Sequence, residues 1–410
     1  MINFDKKSII KKILKTSRLS HVKEIKKIYL YIDKNPILLS CSPFIIEKLF
    51  IDYRKNNKYK YIILDCIIFL KKIFELIIKA VYQKSKKKIN FKKIIFFFSK
   101  KFIEQYNIFP ISNLLNEKKI NHNLLIEKPK TSLFSIFSKS KFIDKENDFE
   151  KTKKKFSKNI DVIQDYISLS DIFNGLKMFL KSKKEISNFL KITKFDNHQK
   201  MTIFNFYIFF FIYLNLYSRL LKKASINFIL SHRFNSSELC SLVFYLKYKN
   251  KKQNFKICAY EFLGLGGESA IYLYSNCDVL FVPTKIDLEL VNKMKKKNLI
   301  FSSFPKLHLA GSVRNEYFLN NYKVNKNKKF NKKLKVLYII SRHNHYNFVD
   351  ERALKLFIKV FQKYKNLIEL KIKDRADIRS SLVQALLKKK ILIKSQIISN
   401  EKHLIEESIV

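Results

Sequence analysis

A chain of 410 residues that is 47% hydrophobic has room for two or three domains of ~150 residues, and it is too apolar to be a disordered polyelectrolyte. Its formal net charge of +49 points first to a polyanionic partner, yet only nine of the 83 basic residues are arginine and the lysines run from end to end. A dedicated nucleic-acid binder concentrates its basic residues on one element, often with arginine forks, so the pattern weighs against that class. Tryptophan is absent, glycine and proline are rare, and Lys, Ile, Asn, Phe and Tyr abound, the signature of an A/T-rich genome acting on any fold. What survives is a general attraction to anionic substrates and surfaces, ~1 kcal/mol per lysine near an anionic bilayer.

The first 160 residues read poorly. Val22–Leu30 fits a strand or a helix, and apolar runs at Tyr61–Leu70, Phe91–Phe98 and Leu133–Phe137 alternate with lysine clusters. Residues 1–20 lack the uninterrupted apolar run of a signal peptide, which points to the cytoplasm. The five cysteines, Cys41, Cys66, Cys240, Cys258 and Cys277, have no metal-ligand spacing and read as reduced and buried. Residues 144–158 are charged without an apolar face and read as a loop. Ile160–Leu190 resumes helical spacing, with Ser170-Asp171 as the N-cap.

Met201–Ser218 carries no charge over 18 residues, a length at the threshold for a membrane span. Two asparagines, three tyrosines and a strand-like segment close behind favour a buried core helix over a span. From 224 onward short apolar segments alternate with helical ones. Strands are expected at Ile226–Leu230, Phe255–Tyr260, Cys277–Val282 and Leu307–Ala310. Helices are expected from Ser236 to Tyr248 and from Lys285 to Lys297, the latter with Pro283 in its first turn. Asn320–Lys333 is polar and lysine-rich, a linker. Beyond it, strands at Leu334–Ile340, Ile368–Lys373 and Ile391–Ile398 alternate with helices at Asp350–Lys365 and Ser380–Lys390, and a last helix starts at Glu401. The alternation predicts parallel α/β sheets.

Four of the five glycines fall between 264 and 311, three of them in Gly264-Leu265-Gly266-Gly267 after the Phe255–Tyr260 strand. A strand ending in such a turn is where open sheets bind ligands, although no P-loop or GxGxxG pattern is present. Other candidates also follow predicted strands: Ser231-His232-Arg233, Arg314 after Gly311, Ser341-Arg342-His343, and Lys373. Arginine can fork a phosphate. For each candidate the plain alternative is a solvated turn or a surface ion pair.

Two local patterns carry a family resemblance. Leu309-Ala310-Gly311-Ser312-Val313-Arg314-Asn315-Glu316 resembles the G-x-P-R-N/x-D element closing the first domain of bacterial surface-carbohydrate transferases, including the CDP-glycerol glycerophosphotransferase-like enzymes, with Val313 in place of the proline. Val336–Ser341 and Leu370–Lys373 resemble the opening strands of the donor domain, and Cys277-Asp278-Val279 a strand of the first. The resemblance covers roughly 224–410. It implies a GT-B-type architecture: two doubly wound, Rossmann-like α/β domains, the second incomplete, with a helix-rich region at the N-terminus. The divisions it suggests are 1–222, 223–319 as part of the acceptor-side domain, the 320–333 linker, and a partial donor-side domain at 334–410.

The resemblance also implies transfer of a sugar or glycerol phosphate from a nucleotide-activated donor to a glycan or lipid-linked acceptor, for surface polysaccharide, at the inner membrane face. It implies no metal and no cofactor beyond the donor. The histidine that family members carry after the second strand is missing, which leaves Glu261 as candidate base beside Gly264, Gly266 and Gly267, with Arg314, Arg342 and Lys373 on the leaving diphosphate. Two alternatives stay open: a non-enzymatic basic protein for nucleic acid or anionic membrane, and an inactive, truncated transferase.

Overall fold

The computed structural model describes residues 28, 31–32, 34–51, 58–82, 89–99, 111, 115–127, 160–193, 195–222, 224–231, 235–250, 255–260, 274–296, 304–311, 334–339, 356, 358–364, 368–373, 384 and 387–388. The chain divides into two compact units, Met1–Arg314 and Asn315–Val410. The expected linker at 320–333, the loop at 144–158, the strand at 391–398 and the terminal helix lie outside the described residues.

The first unit is α/β, built on seven parallel strands: β1 (Ile94–Ser99), β2 (His122–Glu127), β3 (Ile160–Val162), β4 (Phe228–Ser231), β5 (Lys256–Tyr260), β6 (Val279–Val282) and β7 (Lys306–Leu309). Their order across the sheet is β3-β2-β1-β4-β5-β6-β7, and every neighbouring pair is parallel. The four strands expected between residues 224 and 311 are present, each within two residues of its predicted limits. They share their sheet with three strands from before residue 222. The Phe91–Phe98 run supplies β1, whose Ile95, Phe96 and Phe97 are all buried. A parallel strand covered on both faces loses alternation and reads as a continuous apolar run.

Among the described residues of the first unit, the helices with defined bounds are α1 (Pro36–Ser40), α2 (Ser42–Ile51), α3 (Lys58–Tyr82), α4 (Leu169–Ile192), α5 (Asn197–Leu220), α6 (Ser237–Phe244) and α7 (Lys285–Lys296). Helix α5 contains Met201–Ser218, and its residues 209–214 are buried on every side, as expected of a helix apolar all round. It is long and apolar enough to cross a membrane by length and composition, but 61% of that window is covered by the protein itself. Aromatic pairs join it to four neighbours: Phe206 stacks on Phe44 of α2, Phe209 meets Phe69 of α3, Phe211 meets Phe179 of α4, and Phe210 meets Phe244 of α6. Asp65 of α3 accepts from both Thr202 Oγ1 at 2.7 Å and His198 Nε2 at 2.9 Å of α5.

The start of α4 differs from expectation by two residues. Ser168, not Ser170-Asp171, is the N-cap, because Asp171 sits at the third helical position and closes a reciprocal capping box with it. The same Asp171 is 3% exposed and takes a two-point contact from Arg219 at the end of α5, with Nη2 at 2.6 Å and Nε at 3.2 Å. Arg219 Nη2 also donates to the Tyr166 carbonyl. Helix α6 ends at Phe244 and runs on as a π-helical turn, Tyr245–Lys249. Pro283 lies outside α7, whose N-cap is Thr284: Asp287 Oδ2 accepts from the Thr284 hydroxyl at 2.7 Å and from its N–H at 3.2 Å.

All five cysteines are free, and only Cys66 is less than buried. Burial pushes the thiols of Cys41 and Cys277 well up, and that of Cys258 to about 11, so they stay protonated and inert at neutral pH.

In the second unit β8 (Leu334–Ile339) pairs in parallel with β9 (Ile368–Lys373), with helical residues between them at 358–363. Parallel strands need such a crossover.

Gly175 is the one glycine outside the 264–311 cluster, and the helix crossing explains it. A Cβ there would lie 2.5 Å from Ile212 Cα and 2.7 Å from Ile212 N, both backbone atoms of α5. Gly175→Ala is therefore expected to lower stability by about 2–3 kcal/mol, the cost of overpacking a contact that cannot yield locally. Urea unfolding of the two proteins measures it, and an unchanged midpoint would rule out this α4–α5 contact.

Candidate functional site

The strand order turns around between β1 and β4. The chain builds outward through β2 and β3, then returns to add β4 to β7 on the other side of β1. In open parallel sheets the ligand crevice lies outside the carboxyl ends of the strands at such a switch point. Because all seven strands are parallel, their carboxyl ends share one edge. Ser231, Tyr260 and Leu309 end β4, β5 and β7 on that edge, and the segments bearing the candidate residues of the first unit follow them directly in the chain.

Ser231 itself is the last residue of β4 rather than part of a loop. It is 2% exposed, in register with Phe97 of β1 and Ala259 of β5. Lys373 is the last residue of β9, in register with Ile339. His232, Arg233, Glu261, Gly264, Gly266, Gly267, Arg314, Ser341, Arg342 and His343 lie outside the described residues.

Gly311 is described, and it has φ +69°. The Tyr260 hydroxyl donates to its carbonyl oxygen at 2.9 Å, and Ala310 N–H continues the ladder to the Val282 carbonyl at 2.9 Å. The ends of β5, β6 and β7 are thereby tied, and the segment leading to Arg314 leaves from a defined point. A Cβ on Gly311 would meet nothing within 4 Å, so the demand for glycine comes from the backbone alone.

One buried acid on this side escaped the sequence reading as a site residue. Glu238, in the first turn of α6, is 3% exposed. Its carboxylate accepts from Ser237 Oγ at 2.9 Å and from Gln164 Nε2 at 3.4 Å. Gln164 belongs to the 3₁₀ turn after β3, so this contact links segments following the two strand series. The signal in the sequence was present but ordinary: an acidic residue two positions past a serine cap. Glu238 and the capping Asp287 each place a buried carboxylate in the first turn of a helix following β4 or β6. The cap bonds themselves are made by hydroxyls, Ser236 Oγ accepting from Leu239 N–H in α6 and Thr284 Oγ1 from Asp287 N–H in α7, with the carboxylates adding negative charge to each first turn.

A cavity of about 340 Å³ opens at the opposite, amino edge, lined among others by Lys247, Tyr248, Ser275, Asn276, Asp278 and Phe304. Most of its polar groups are engaged, although the hydroxyl of Ser40, also on its wall, is buried without a hydrogen-bond partner. Lys247 Nζ donates to the Asn276 carbonyl at 2.9 Å and meets Asp278 at 3.1 Å. Asp278 Oδ2 accepts from Ile257 N–H at 2.8 Å, and Asn276 Nδ2 donates to the Ser40 carbonyl at 3.0 Å. This set fastens α1 and the π turn to the sheet. The cavity marks the amino edge and strand topology the carboxyl edge. The topology is the stronger guide, because the charged groups at the amino edge, Lys247 and Asp278, already pair with each other. Among the described residues no three of His, Cys, Asp or Glu converge as metal ligands.

No family model matches the chain, and no curated protein matches it. Among solved structures it is similar to a UDP-forming α,α-trehalose-phosphate synthase from Burkholderia xenovorans, at 10% identity and a TM-score of 0.35, over 73% of this chain and 68% of that one. A likeness at that level carries no argument. The fold assignment rests on the strand order and registers above.

Gly311→Ala is expected to cost about 1–2 kcal/mol, the strain of a left-handed L-residue. Thermal unfolding of the variant beside Tyr260→Phe checks it, and a wild-type midpoint for Gly311→Ala would mean that the turn does not hold its left-handed form.

Proposed function

We propose that the protein is a group transferase of GT-B type, moving a sugar or glycerol phosphate from a nucleotide-activated donor to a hydroxyl of a glycan or lipid-linked acceptor. One observation carries the reading: the turnaround between β1 and β4, with the candidate segments of the first unit following strands on the same carboxyl edge. The parallel β8–β9 pair of the second unit supports it, as does the resemblance of 309–316 and 336–341 to surface-carbohydrate transferases.

In this reading Glu261 removes the proton from the acceptor hydroxyl as its oxygen attacks the donor. The new bond forms to the anomeric carbon, or to phosphorus for a glycerol phosphate donor. The bond to the leaving nucleotide breaks, and its electron pair passes to the leaving phosphate oxygen. Arg314 meets that charge, and backbone N–H groups around Gly264, Gly266 and Gly267 line the acceptor side; Arg342 and Lys373 are the second unit's own candidates for phosphate contact. The donor is a substrate, and no further cofactor is proposed. Surface polysaccharide assembly at the cytoplasmic face of the membrane is the proposed setting.

The test uses the full chain with a panel of nucleotide sugars and CDP-glycerol, followed by thermal shift and by release of the nucleotide product. At least one donor is expected to raise the midpoint. Glu261→Gln is expected to keep that shift and to lose about 100-fold in kcat, the share of a general base. The opposite pattern, no shift with any donor and a salt-sensitive shift with DNA, would favour a basic binding protein and sink the transferase.

A further inference from the structure

Helix α3 presents to solvent a face that a soluble protein normally covers. Ile63, Ile67, Leu70, Phe74, Ile77 and Val81 recur at alternating spacings of four and three residues, and all six are exposed, Leu70 by 65% and Phe74 by 63%. The stripe is roughly 27 Å long at 1.5 Å per residue. The other side of α3 is held by the protein: Leu76 is buried, Phe69 packs on Phe209, and Lys79 pairs with Asp165 at 2.5 Å. The exposed stripe is therefore additional to what packing needs. Helix α4 packs beside α3 and exposes Phe173 and Leu180 by 67% and 66%. Around these two, Lys177, Lys181 and Lys184 are exposed as well.

We infer that the outer faces of α3 and α4 seat on a bilayer containing anionic lipid. Apolar side chains flanked by lysines match the two layers of an interface, acyl boundary and charged headgroup. The charge of the chain selects this occupant over a second copy, since two molecules of +49 repel as they approach. The inference does not rest on the transfer reading, and neither face includes a candidate residue of the carboxyl edge.

The full chain is sedimented with vesicles of phosphatidylcholine alone and with added phosphatidylglycerol. Three proteins are compared: wild type, Phe74→Asp, and Ile286→Asp, which makes the same charge change at an apolar residue on α7 that is at least as exposed. Wild type is expected to bind the anionic vesicles, Phe74→Asp to bind about tenfold more weakly, and Ile286→Asp to differ little from wild type. Leu70→Asp serves as a second stripe variant if Phe74→Asp melts below wild type. Absence of wild-type binding overturns the inference. So does an equal loss in the α3 and α7 variants, which would mean attraction by charge alone. A concentration-dependent dimer abolished by Phe74→Asp, with vesicle binding unchanged, would assign the stripe to a second copy instead.

Discussion

The burial of α5 on all sides governs where the rest of the first unit can lie. A helix with apolar residues around its whole circumference has no face to give to water. It must be surrounded, and α2, α3, α4 and α6 each supply an aromatic ring to it. Two devices set the distance and register of its closest neighbour. Gly175 removes a side chain where α4 meets the α5 backbone, and Arg219 reaches back to the capping carboxylate of α4. Without the first, the helices would stand further apart. Without the second, a buried carboxylate would lose its counter-charge.

That helical layer positions the sheet in turn. Helix α6 touches α5 and begins six positions after the last residue of β4, so its start, with the cap Ser236 and Glu238, is fixed relative to the switch point. Tyr260 and Gly311 do the same for the ends of β5 and β7. The carboxyl edge is thus anchored from several elements, while the amino edge is fastened by Lys247, Asn276 and Asp278. The two edges divide the labour: at one the charged groups pair with each other and fasten α1 to the sheet, and the other carries the chain segments with the chemistry-bearing residues.

How much of this was legible from residues varied along the chain for physical reasons. The strands from β4 to β9 stood out because each is a short apolar segment between polar turns. β1 was visible only as an apolar run, since a strand buried on both faces shows no period to distinguish it. β2 carries His122 and Asn123, both buried, and polar residues in a buried strand hide it from hydropathy. The N-cap of α4 was misplaced by two because three serine or aspartate residues compete there, and only the bond to Asp171 decides. The glycine cluster drew the sequence reading, yet the glycines whose need the structure explains are Gly175 and Gly311. Glu238 stands two positions past a serine cap, an ordinary place for an acid, and only tertiary placement shows that it is buried and joined to Gln164.

The central claim is that substrate binds at the carboxyl edge beside the β1–β4 turnaround. Amide hydrogen exchange of the full chain, with and without a donor of the nucleotide panel that raises its midpoint, tests this directly. The account predicts that peptides spanning 228–240 and 306–316 slow by about threefold or more on donor addition. Protection confined to 243–248, 274–278 and the residues around Phe304 would place the ligand at the amino edge and contradict it.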